Sequence, residues 1–125
     1  MVIDSGMEMA VIFALQGARV IFVCEHRKEV QDMLEKAELL AGEHLARSWK
    51  TNGRERIATK QGGIIHLLAP HSTGMRGVSA DAIFAPPLVW SDEKLAADLI
   101  PCVNGSTFFE NHGPVMFSTL QRVGG

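Results

Sequence analysis

The spacing of hydrophobic residues changes several times along this chain, and each change marks a boundary between elements. From Met7 to Gln16 nearly every position is apolar (Met7, Met9, Ala10, Val11, Ile12, Phe13, Ala14, Leu15), which predicts a helix enclosed by other elements. Gly17 stops it, since glycine readily takes the backbone conformation that closes a helix. Arg19 to Cys24 is a continuous β-branched and aromatic run, the pattern of a strand covered on both faces. From His26 to Ala41 the period becomes helical. Val30, Met33, Leu34, Ala37, Leu40 and Ala41 share one side, and Arg27, Lys28, Glu29, Asp32, Glu35, Lys36 and Glu38 take the other. Gly42 is the predicted stop.

Ala46 to Asn52 is less regular, and Asn52-Gly53 signals a turn. Arg56 to Lys60 and Ile64 to Ala69 then read as two strands of a β-hairpin joined by Gln61–Gly63. Pro70 to Gly77 is a polar, glycine-punctuated loop. Ala80 to Ala85 forms a buried strand ended by Pro86-Pro87, because proline cannot donate to a ladder. Ser91 is the predicted N-cap of a helix from Asp92 to Ile100, whose acidic first turn suits the helix dipole. Pro114 to Thr119 is a last strand. With no repeat or linker, the order predicts one α/β domain over residues 1–125.

Composition narrows the partners. The net charge is −2 and the pI about 6.2, with a single short basic cluster at Arg54, Arg56 and Lys60. A dedicated nucleic-acid binder usually carries a larger basic excess, so weak or no nucleic-acid affinity is expected. Cys24 and Cys102 lie far apart in apolar surroundings, as reduced buried thiols do. The five histidines are scattered without metal-ligand spacing, so no metal site is expected. The apolar stretch near the start runs to about ten residues, against the ~20 needed to span a bilayer, and it has no basic leader flank.

With the elements placed, the chain resembles the ATPase domain of phage terminase large subunits, within the RecA-like P-loop class. The resemblance runs from about Ser5 to Thr119. Ser5-Gly6-Met7-Glu8 stands where the phosphate loop would lead into its helix, and Gly74-Met75-Arg76-Gly77 where an arginine-glycine loop would lie. Ala80 to Pro87 corresponds to the Walker B strand, and Ser118-Thr119 to a coupling motif. The resemblance implies a three-layer RecA-like remnant with a mostly parallel sheet and a β-hairpin.

The departures from that pattern bear on function. A phosphate loop needs a lysine on the terminal phosphates and a hydroxyl on magnesium. Met7 and Glu8 stand in those places. The Walker B acids that hold magnesium and position water are replaced by Pro86 and Pro87. Only five residues precede Gly6, too few for a full loop and the strand feeding it. No ATPase chemistry, catalytic residue or cofactor is therefore expected.

Gly6, Arg76 and Gly77 remain as candidate phosphate contacts, and Arg54, Arg56 and Lys60 as candidate nucleic-acid contacts. His71, Ser72 and Thr73 share a loop without the third orienting group of a triad. Asp81 reads as a carboxylate satisfying nearby backbone amides, Asp92-Glu93 as a helix first turn, and His66 as a structural strand histidine. Trp49 and Trp90, near polar loops, are candidate interface anchors.

Two functions follow. One is a catalytically inactive, phage-encoded domain in the bacterial cytoplasm that acts by self-association or by docking on a phage or host protein. The other is a nucleotide- or nucleic-acid-binding protein that keeps weak phosphate contacts without hydrolysis.

Overall fold

A computed structural model of the chain describes residues 5–51, 53–70, 79–103 and 115–118. Helix α1 (Ser5–Ala14) is followed by strand β1 (Arg19–Val23). A short 3₁₀ turn (Arg27–Glu29) leads into α2 (Val30–Ala41), and a second one (Gly42–His44) into β2 (Leu45–Trp49). Strands β3 (Arg56–Thr59), β4 (Ile64–Leu68) and β5 (Ala82–Ala85) come next. Helices α3 (Pro87–Ser91) and α4 (Glu93–Val103) and strand β6 (Val115–Ser118) complete the order.

The strands form one mixed sheet in the order β2-β3-β4-β1-β5-β6. β2, β3 and β4 run antiparallel to their neighbours within that group. The pairs β4–β1, β1–β5 and β5–β6 are parallel. β1 sits at the centre because Val20, Ile21, Phe22 and Val23 are all buried. Each such side chain contributes ~1.5–3 kcal/mol, and a strand apolar on both faces needs cover on both sides.

Alternation along the strands builds two cores. Val20, Phe22, Ile57, Ile65, Leu67, Ala82 and Phe84 point one way and pack against Met7, Ala10, Ala14, Val30, Leu34 and Ala37 of α1 and α2. Ile21, Val23, Leu68, Ile83 and Ala85 point the other way and meet Val89, Leu99, Cys102 and Val103 of α3 and α4. Helices therefore cover both faces around β1 and β5.

Several local expectations hold in detail. Gly17 has φ +91° and closes α1, with the Ala18 amide bonded to the Phe13 carbonyl at 3.1 Å. Gly42 ends α2 at φ +54°. The hairpin forms with the pairs Arg56↔His66 and Ala58↔Ile64. Cys24 and Cys102 are buried and not joined in a disulfide. Among the described residues no helix is long and apolar enough to cross a membrane.

Three expectations are corrected. α1 is open on one side, with Met9 and Ile12 exposed, because apolar residues all round a helix need not find cover all round. Residues Leu45–Trp49, irregular as a sequence, form strand β2, which among the described residues pairs on one side only, with β3. Ser91 is the last residue of α3 rather than an N-cap. Asp92 takes that role, accepting from the Lys94 amide at 3.0 Å.

Candidate functional site

Parallel sheets place ligand sites beyond the carboxyl ends of their strands. Pro86 occupies that position after β5, buried, with Pro87 as the first residue of α3. Proline suits the first helical position because its missing N–H would lack a partner there anyway. The pair thus redirects the chain from strand to helix and brings no ionisable group to the strand end. At the start of α1, Gly6 is half-buried within the first helical turn. Met7 is 0% exposed and belongs to the main core, while Glu8 is exposed. The position that the resemblance gives to a phosphate-binding lysine is a packing position. Arg76, Gly77, His71, Ser72, Thr73 and Thr119 lie outside the described residues.

The carboxyl end of β1 holds a group that spacing arguments passed over. Glu25, His26 and Glu29 each offer one ligand atom, and these atoms lie within 4.8 Å of one another. One Glu25 oxygen is buried without a hydrogen-bond partner. Histidine and cysteine spacing could not reveal this set, because two of its members are carboxylates on a turn.

Next to it, Glu55 is 1% exposed and accepts from Arg27 Nη2 at 2.6 Å and Gln31 Nε2 at 3.1 Å. Burial pushes the Glu55 carboxyl up. The hydrogen bond and charge of Arg27, with Gln31 and a backbone amide, outweigh burial and hold it below its ordinary value. The pair joins the start of α2 to the hairpin and leaves Glu55 Oε1 unpartnered.

Asp81 behaves as its position before a strand suggests. Its Oδ2 accepts from the Arg19 backbone amide at 2.8 Å, and Arg19 Nη2 approaches Oδ1 at 3.2 Å. These contacts tie the start of β5 to the start of β1, so the carboxylate is a structural clamp.

The basic cluster is organised differently from its sequence appearance. Strand pairing puts Arg47 opposite Ala58, Trp49 opposite Arg56, and Arg56 opposite His66. These residues share the sheet face turned away from α2. The guanidinium carbons of Arg56 and Arg47 lie 4.1 and 4.6 Å from the Trp49 ring centre. Arg54 precedes β3 and Lys60 follows it, both exposed, so Arg54, Arg56 and Lys60 spread along the strand instead of converging. His66 is half-buried beside Arg56. Burial, then the Arg56 charge, pushes its imidazole below the ordinary value. Arg47 and Trp49 completed this group only once β2 was known to be a strand.

Comparison with protein-family models, curated proteins and solved structures finds no match to this chain.

Proposed function

We propose that this chain is a catalytically inactive RecA-like domain of terminase type, phage-encoded, that acts through protein–protein contact or self-association. The observation that carries this reading is the pairing of Met7, wholly buried, with Pro86-Pro87 at the end of β5. Phosphate transfer needs a cation on the nucleotide and acids on its metal ion, and both places are filled by packing residues. The parallel run β4-β1-β5-β6, with helices on both faces at β1 and β5, supports the three-layer architecture that goes with it.

Two surfaces favour association. The exposed large hydrophobic residues among those described all belong to α1 and α2: Met9, Ile12 at 53%, Leu39 at 84% and Leu40. At one margin of the sheet β6 pairs only with β5 among the described residues, and an open strand edge can accept another chain. The opposite margin, β2, is blunted by an irregular register between Leu45 and Arg47.

Light scattering across a wide concentration range tests the reading. A concentration-dependent dimer or larger species is expected, weakened by Ile12→Glu or Leu39→Lys. A monomer at every concentration, with no partner recovered from infected cells, would count against it.

A further inference from the structure

Among the described residues, the β2–β3–β4 part of the sheet has helices on one face only. α1 and α2 cover Ile57 and Ile65, Thr59 bonds to the α1 carbonyl of Ala14, and α3 and α4 pack over β1 and β5. The other face of these three strands presents Arg47, Trp49, Arg56, Ala58, Ile64 and His66, half-buried or exposed. Exposed Arg54 and Lys60 flank β3 at its two ends. The carboxylates of this region lie elsewhere. Glu55 is buried towards Arg27, and Glu38 on α2 takes Ser48 Oγ at 2.7 Å and Lys50 at 3.8 Å. Among the described residues, none of the ion pairs involves Arg47, Arg54, Arg56 or Lys60. A chain of net charge −2 therefore carries Arg47, Arg56 and His66 on one face of this sheet, with Arg54 and Lys60 just beyond the two ends of β3.

The chemistry of this strip selects its occupant. Arg47 and Arg56 sit over the Trp49 ring. Arg56 Nη1 donates to the Arg54 carbonyl at 3.4 Å, and a guanidinium carries five N–H donors, so others are left for a ligand. Those donors suit phosphate oxygens, which arginine binds with two parallel hydrogen bonds. The indole and the guanidinium planes are surfaces on which nucleobases stack. An acidic peptide would satisfy the cations but offer nothing planar to the stack, and a duplex would keep its base faces hidden.

We propose that this open face of β2, β3 and β4 binds single-stranded nucleic acid, with Arg47, Arg54, Arg56 and Lys60 holding phosphates and the Trp49 stack holding bases. The site lies away from the expected nucleotide position and does not depend on the RecA-like reading.

The test is fluorescence anisotropy of a labelled oligothymidylate of about 20 nucleotides, titrated with the full chain at several salt concentrations. Binding is expected at low salt, falling with a log–log slope of about −2 to −3 if three to four phosphates are engaged. Arg47→Gln should lower the slope's magnitude by just under one and weaken binding severalfold. Trp49→Ala, or Trp49→Leu should the first variant unfold, should weaken it about tenfold or more. Lys28→Gln, outside the strip, should change nothing. A duplex of equal length should bind more weakly, and an acidic peptide should not compete. No binding at low salt would overturn the proposal. So would affinity indifferent to Arg47 and Trp49, equal affinity for duplex, or displacement by the acidic peptide.

Discussion

Gly63 packs so closely on the last turn of α1 that a Cβ there would lie 2.0 Å from the Ala14 carbonyl oxygen. The same carbonyl accepts from Thr59 Oγ1 at 2.7 Å, and the Gly63 amide donates to that hydroxyl at 3.0 Å. The hairpin turn and the end of α1 are thus locked by backbone proximity, and no side chain fits between them. Gly63→Ala is expected to destabilise the fold by about 2–4 kcal/mol, since backbone on both sides must shift. Urea denaturation checks this. Stability unchanged within a few tenths of a kcal/mol would show that the contact is looser than described.

The Arg27–Glu55 pair sets an acid limit. Because the folded carboxyl is held below its ordinary value of 4.5, its contribution is present above that pH and is lost as pH falls further, through the folded value. Glu55→Gln should flatten that acid limb of the stability curve. Arg27→Ala strands a buried carboxylate. The usual ~3–5 kcal/mol for breaking a buried pair is discounted here to about 2–3, because the Arg27 side chain is 44% exposed. Chemical denaturation from neutral pH down to the acid limb measures both.

His66 gives a second, milder dependence. Its folded value is depressed by burial first and by Arg56 second, so the native state resists its protonation. Stability should therefore begin to fall as pH drops below 6.5, the ordinary value, and continue to do so through the folded one. Arg56→Gln removes the second cause and should raise the His66 value, as read from its ring resonances by NMR. An unchanged titration would mean that burial alone sets it.

Met7→Lys tests the proposed RecA-like reading at the position it gives to a phosphate-binding lysine. Met7 is wholly buried, so the new ammonium would enter the core without a partner. The variant should lose about 3–5 kcal/mol in thermal or urea unfolding and gain no affinity for ATP. A stable Met7→Lys protein that binds ATP would place this residue at a nucleotide site.

Much of the fold was legible from the spacing of apolar residues. The run from Arg19 to Cys24 had to be a strand buried on both faces, and the period from His26 to Ala41 had to be helical, though its first turn, Arg27–Glu29, is 3₁₀ and α2 proper begins at Val30. Gly17 and Gly42 stop their helices as their lack of a Cβ allows. Leu45–Trp49 was not legible, because an edge strand with one open face needs no apolar alternation. The N-cap at 92 was displaced by one residue, since Pro87 opens a separate short helix that absorbs Ser91. The candidate sites depended most on pairing. Arg56 was visible as a cation, but its stacking on Trp49 exists only through the register of β2 on β3. Glu25, His26 and Glu29 were likewise adjacent in sequence without any signal that their ligand atoms converge.

The central claim is that packing residues have taken the positions where a nucleotide's phosphates and its magnesium would be held. Isothermal titration of the full chain with ATP and magnesium, followed by an assay for released phosphate, tests it most directly. No saturable heat and no phosphate above the protein-free rate is the expected result. Saturable binding with hydrolysis, weakened by substitution of Gly6 or Glu8 at the amino end of α1, would contradict it.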